Sequence, residues 1–211
     1  MSILSRVDTI WREEGLRSLW FKVLGETVYR RLILIERDPG LNPAKSHCLL
    51  EDAKCRALEP GEIDAYCGLQ PKADPAEVLR RLQAGHQCFA VWKDDRVINA
   101  GWVGTGRCRI DYLDLDVELS SDTGYLYEVF TAPEFRGNRV SSARFAYQNA
   151  VLSAQGYRRT IAAIWPENPS VARSAARASF REIGMVGYLG AGPLKRGFCR
   201  YDGSTPAIRL G

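Results

Sequence analysis

The chain has 211 residues, a formal net charge of +4, 45% hydrophobic and 26% charged residues; this fits one domain with an appendage and excludes wholesale disorder or a membrane bundle. Six cysteines (Cys48, Cys55, Cys67, Cys88, Cys108 and Cys199) form no C-x-x-C pair, and His47 and His86 lack zinc-ligand spacing, so free thiols and no metal are expected. Arg6, Asp8, Arg12, Glu13 and Glu14 stand where a signal peptide needs an apolar core, and no run approaches the ~18 apolar residues of a membrane span, so a reducing cytoplasmic location is the default.

Leu16, Leu19, Trp20, Val23 and Leu24 share one face of an expected helix. The segment RRLILIERD reads as a short strand or helix end, stopped at Pro39-Gly40, and DPGLNPAKS as a linker. These segments form an N-terminal extension over 1–46, leaving a main domain over 47–205. A first strand is expected within 49–59, followed by a loop turning into a helix. DPAEVLRRLQAG is a helix with Asp74 as N-cap, Pro75 at N1, Glu77 at N3 and Gly85 after the last turn. Two β-rich runs meet at Asp94-Asp95 as a hairpin. RIDYLDLDVEL alternates as a half-exposed strand, and GYLYEVFTA reads as a more buried one. A helix over 139–155, a strand over 158–165 and a helix over 169–183 end at or near Gly156, Trp165 and Gly184, and the tail supplies one or two last strands. Antiparallel strands followed by β-α-β argue for an α/β, more narrowly α+β, fold: a mixed, mostly antiparallel central sheet flanked by helices.

Charge is unevenly placed. Between Pro133 and Arg181 eight arginines stand against Glu134 and Glu167, a local +6 that leaves −2 for the remainder. Such a field serves a local anionic ligand better than a long polyanion, so no nucleic acid is expected. The stretch VFTAPEFRGNRVSSARF carries three of these arginines through a strand-to-helix turn. Backbone N–H groups and the helix dipole there make an anion site. Gly137 permits close approach, Asn138 tolerates left-handed torsions, Ser141 and Ser142 can donate, and Arg136 and Arg139 add bidentate donors. The other reading is a plain connection with solvated arginines. Arg173, Arg177 and Arg181 recur every four residues, either as a solvated helix face or as contacts to an anion.

From the strand at 125 to the helix before Gly184, the chain resembles the GCN5-related N-acetyltransferase (GNAT) superfamily: a buried strand, a V-x-P-x-x-R-G-like turn, a helix, a strand, an asparagine and a second helix. The likeness covers about residues 85 to 190. It implies a GNAT-like acyl-CoA N-acyltransferase fold and a pyrophosphate loop matched at Arg136, Gly137 and Val140, with Arg139 and Ser141 standing where small residues are usual. It also implies a bulged strand whose Val129, Phe130 and Thr131 backbone holds the thioester and pantetheine, and an asparagine, Asn168, on the cofactor arm. By resemblance Glu128 is the base; alternation places it beside Leu126 and Phe130, where desolvation would raise its pKa. The family's usual tyrosine acid is Phe180 here, which leaves Tyr188, Tyr147 or water to protonate the thiolate.

The implied activity is transfer of an acyl group, most simply acetyl, from acetyl-CoA or another acyl-CoA to a primary amine of a small molecule by direct attack. The N-terminal pattern loosely resembles GNAT-like proteins of bacterial cell-surface polysaccharide synthesis, which points to an amino sugar. A long-chain N-acyl synthase fed by acyl carrier protein, and a non-catalytic CoA-binding module, are the alternatives. A homodimer is compatible with either. Cys199 has no neighbouring histidine and is a poor nucleophile candidate.

Overall fold

The computed structural model describes residues 29–41, 48–190, 194–202 and 208–211. The expected N-terminal helix, His47 and most of the expected linker lie outside the described residues. Among those described, eight strands form one sheet in the order β10-β9-β1-β8-β7-β4-β3-β2. They are β1 (Tyr29–Arg37), β2 (Lys54–Ala57), β3 (Gln87–Lys93), β4 (Arg96–Gly104), β7 (Thr123–Thr131), β8 (Arg159–Ile164), β9 (Arg181–Leu189) and β10 (Arg196–Tyr201). A second sheet joins β5 (Arg107–Ile110) and β6 (Leu115–Leu119) to β11 (Ile208–Leu210). The α-helices among the described residues are α1 (Ile63–Leu69), α2 (Pro75–Gln83), α3 (Val140–Ala154) and α4 (Pro169–Arg177). None of them is long and apolar enough to cross a membrane.

Local chemistry explains most elements. Asp74 accepts a hydrogen bond from the Ala76 N–H at 3.0 Å and Pro75 opens α2. Asp94 and Asp95 both take positive φ, as a two-residue hairpin between β3 and β4 requires. Among the described residues only β7 and β8 pair in parallel, across the α3 crossover. The small sheet packs with β1, β8 and β9 around Leu34, Val117, Ile161 and Val186, while α1 and α2 cover β3 and β4 around Tyr66, Val78 and Trp102. Tyr127 borders both clusters, so these layers lie side by side on one face. On the other face α3 packs Leu152 against Phe89 and Val103, and Val140 against Val91 and Ile98.

Three readings of the sequence change. Residues 29–37 fall in the segment expected as an extension, yet β1 is an interior strand, antiparallel to both β8 and β9. Its buried Glu36 accepts from Arg181 Nη2 at 2.7 Å and Tyr201 Oη at 3.0 Å, so a charge can sit at a strand end inside the sheet. The run 109–119 is two strands, because Asp114 takes a left-handed φ of 54° and turns the chain between them. Helix α4 ends at Arg177, not near Gly184: Ser179 adopts φ 62° and the chain enters β9. Arg181 is therefore a strand residue paired with Glu36, and the three-arginine helix stripe is reduced to Arg173 and Arg177.

Gly184 has a different duty from ending a helix. It lies in β9 with φ 144°, and a Cβ there would be driven into the Arg200 carbonyl oxygen of β10. Gly184→Ala is expected to destabilise the protein by about 2–3 kcal/mol, read as a lower urea midpoint with an unchanged m value; an unshifted midpoint would show that β9 and β10 can separate there.

Candidate functional site

Pairing between β4 and β7 sets the geometry of the site. Ala100 faces Phe130 and Trp102 faces Tyr127, so Glu128 and Val129 together oppose the single residue Gly101. This is a β-bulge, and Glu128 takes the strained φ of 46°. Parallel pairing with β8 stops at Leu126–Ala162, although β8 continues to Ile164. Beyond Leu126, therefore, the β8 side of β7 carries no strand partner, and Val129 is 53% exposed. Asn99 of β4 secures the far end: its Nδ2 donates to the Phe130 carbonyl and to Thr131 Oγ1, each at 2.7 Å.

The bulge overturns the alternation expected around Glu128. Leu126 packs towards α3, while both Tyr127 and Phe130 pack towards α1 and α2. Glu128 is not desolvated beside apolar side chains; its side chain is 38% exposed, and its two oxygens accept from Arg81 Nη1 at 2.7 Å and Nη2 at 3.0 Å. Arg81 also donates from Nε to Glu77 at 2.8 Å and lies over the rings of Trp102 and Tyr127. Burial alone would lower the Arg81 pKa, but the hydrogen bonds it donates to Glu128 and Glu77 outweigh it and hold the guanidinium charged.

After β7, residues Pro133–Phe135 make one 3₁₀ turn and the chain enters α3 through Gly137, at φ 83°, and Arg139, at φ 56° and ψ 18°. Arg139 thus takes the left-handed torsion that a glycine would take freely. No side chain caps α3, so the N–H groups of its first turn, at Val140, Ser141 and Ser142, lack an acceptor from within the helix. Arg136 and Arg139 are exposed at the turn, and Arg136 Nε reaches back to the Thr131 carbonyl at 3.3 Å. Asn138 is used structurally: its carbonyl accepts from the Leu49 N–H at 3.1 Å. Residues 129–131 and 136–142 thus form one continuous surface of strand edge, turn and helix N-terminus, with positive partial charge at the last.

On the α1–α2 face two cavities meet at Arg81. One, of about 380 Å³, lies between α1 and α2 and is lined by Glu128 and Tyr66. The other, of about 470 Å³, lies between α2 and the β5–β6 sheet, with His86 and Tyr127 among its walls. His86 Nδ1 stands 2.6 Å from the Tyr127 hydroxyl. Burial first, and then the Arg81 charge, lower the His86 pKa, whereas a bond to the Arg107 backbone raises it. A neutral imidazole giving its N–H to Arg107 leaves Nδ1 to accept from Tyr127. Burial also raises the Tyr127 pKa, so the tyrosine keeps its proton. Sequence reasoning missed this pair because its members are 41 residues apart; the signal was a histidine just after a helix and a tyrosine beside the bulge.

The remaining candidates fall elsewhere. Tyr188 is 8% exposed in the core cluster on β9, under Lys195, and β1 and β8 stand between its strand and β7. Tyr147 is exposed on α3 with its ring against Phe89. Asn168 caps α4, its Oδ1 accepting from the Val171 N–H at 3.1 Å, which leaves its amide NH₂ free of that duty. Phe180 packs its ring at a tilt against Phe145 of α3. Cys199 lies in β10, where burial raises its thiol pKa, against the needs of a nucleophile.

This bulged and splayed sheet, with a crossover helix entering from an open turn, belongs to a known fold. No protein-family model and no curated protein matches the sequence, but solved structures do match the architecture. A GNAT-family protein from Novosphingobium aromaticivorans matches with a TM-score of 0.54 and 18% identity over 74% of this chain, which spans 62% of that one. AAC(6')-Iy, in complex with the bisubstrate analogue CoA-S-monomethyl-acetylneamine, matches at 0.51 with 20% identity, covering 63% of this chain and 92% of its own. A GCN5-related N-acetyltransferase from Kribbella flavida matches at 0.50 with 11% identity over 80% of this chain and 60% of that one. The fold is that of the GNAT acyl-CoA N-acyltransferases.

The lowered pKa of His86 has a stability consequence. Above about pH 6.5 the imidazole is neutral in both folded and unfolded chains; below it the unfolded chain binds the proton first, so stability falls as pH drops towards the folded value. His86→Gln is expected to remove part of the loss of stability between about pH 6.5 and 5, measured as the difference between the two proteins' urea midpoints across that range.

Proposed function

We propose that the chain is an acyl-CoA-dependent N-acyltransferase that moves an acetyl group, in its simplest form, from acetyl-CoA to the primary amine of a small molecule. The observation that carries this reading is the bulge at Glu128 and Val129 on a strand edge left open by its parallel neighbour. N–H groups at Val129 and Thr131, on the side of β7 without a strand partner while Phe130 pairs with Ala100, suit a thioester oxygen and the pantetheine amides, since donors already in place need no reorganisation as charge develops. The turn at Arg136–Arg139 and the first turn of α3, through Val140, Ser141 and Ser142, suit the pyrophosphate. In this reading the free amide of Asn168 faces the cofactor arm.

The acceptor enters from the α1–α2 face. Both Glu128 oxygens are engaged by Arg81, so Glu128 holds the amine's positive end only by taking it in exchange for the guanidinium. The amine then gives its proton to Tyr127, whose own proton passes to His86 Nδ1, as neutral imidazole and the 2.6 Å separation allow. The amine nitrogen bonds to the carbonyl carbon, the C–S bond breaks, and the second nitrogen proton passes through water to the departing thiolate. An amino sugar is the acceptor class in keeping with the fold's presence in an aminoglycoside acetyltransferase.

Acetyl-CoA at about 100 times its Kd should stabilise the protein by about 2.7 kcal/mol, seen as a raised unfolding temperature; no shift with CoA or any acyl-CoA would end this reading. Arg139→Gly separates two uses of that side chain. Unchanged or tighter CoA binding by calorimetry means that Arg139 only tolerates its torsion, and a tenfold loss means that it binds phosphate. Tyr127→Phe should lower kcat at least tenfold with an unchanged KM for acetyl-CoA, and a raised KM for acetyl-CoA with an unchanged kcat would place Tyr127 in cofactor binding instead.

A further inference from the structure

Arg144 is a costly placement. It lies in the second turn of α3, is 3% exposed, and has no carboxylate partner among the described residues. Its Nη1 donates to Gln148 Oε1, and its Nε is buried with no acceptor. The helix dipole is positive at this end, so it repels the charge further. Burial lowers the guanidinium pKa to about 10, which still leaves it a cation at neutral pH.

What the cation faces is specific. A Cβ built on Gly101 would meet Arg144 Cζ, Nη1 and Nη2 at 2.6, 2.7 and 2.9 Å. These nearly equal distances mean that the guanidinium lies flat against Gly101, in room that any side chain would fill. Gly101 is the residue that the bulge opposes, one strand spacing of roughly 4.8 Å from Glu128 and Val129. A cation without a counterion thus sits under the one place where β7 is bulged and open. In a low-dielectric layer its field at that place is weakly screened. Residues that break the rules of burial with no gain in packing are where function is expected.

We propose that Arg144 is a positioning charge for the acyl site. Resting on the acyltransferase reading, it polarises the thioester carbonyl bound at the bulge and stabilises the negative oxygen formed as the amine adds and the carbonyl π pair moves onto oxygen. It touches no substrate and acts through the strand pair β4–β7.

The test uses full-length protein and acetyl-CoA labelled with ¹³C at the carbonyl, read by infrared difference spectroscopy, so no acceptor is needed. Binding to the wild type should lower the C=O frequency relative to free acetyl-CoA. Arg144→Met should bind acetyl-CoA within about threefold of wild type by calorimetry, and return the frequency most of the way to the free value. Arg144→Lys, which keeps the charge, should retain the lowered frequency. Arg144→Gln, which keeps a polar partner for Gln148, serves as the neutral variant if Arg144→Met does not fold. An identical bound frequency in wild type and either neutral variant would overturn the proposal. Failure of the wild type to bind acetyl-CoA would instead defeat the acyltransferase reading, and this inference with it.

Discussion

Two residues of β7 must fit opposite one residue of β4, and the site follows from that mismatch. The extra residue at Glu128 and Val129 bends β7 away from β8, ends their parallel pairing at Leu126 and leaves a stretch of backbone without a strand partner. Such an edge normally invites pairing with another chain. Here it is short, strained and followed at once by a proline turn, which suits it to a small extended ligand better than to a strand.

Both faces of the sheet respond to the bulge. On one, Arg81 draws together Glu77, Glu128, Trp102 and Tyr127, and so ties α2 to the bulged strand. That pair is partly exposed, so its contribution to stability is modest and its value is in orientation. On the other face Gly101 gives up its side chain so that the Arg144 guanidinium can lie beneath the same point. Anchored by Asn99, the bulge is held from three directions by side chains of very different cost.

The turn after β7 shows how a fold absorbs an unusual residue. Arg139 takes a torsion that costs a Cβ about 1 kcal/mol or more, yet the backbone path into α3 is kept. Because the torsion belongs to the loop, the side chain is free to be either a solvated arginine or a ligand.

Local chemistry alone made much of the chain legible: the capped helix at Asp74, the hairpin at Asp94-Asp95, the strand-turn-helix at 125–155 and the cluster of positive charge around it all depend on contacts within a few residues. Tertiary structure decided the rest. A strand's alternation cannot foresee a bulge, which depends on the facing strand, so Glu128 came out ion-paired and exposed. RRLILIERD was legible as a short strand or helix end but not as an interior strand of the main sheet, since Arg181 and Tyr201 far along the chain make a buried Glu36 tolerable. Ser179 ended α4 without the glycine that usually marks such a stop. The pairings of His86 with Tyr127, and of Arg144 with Gly101, join residues about forty positions apart; their proximity is a property of strand register and layer packing, which no local pattern encodes.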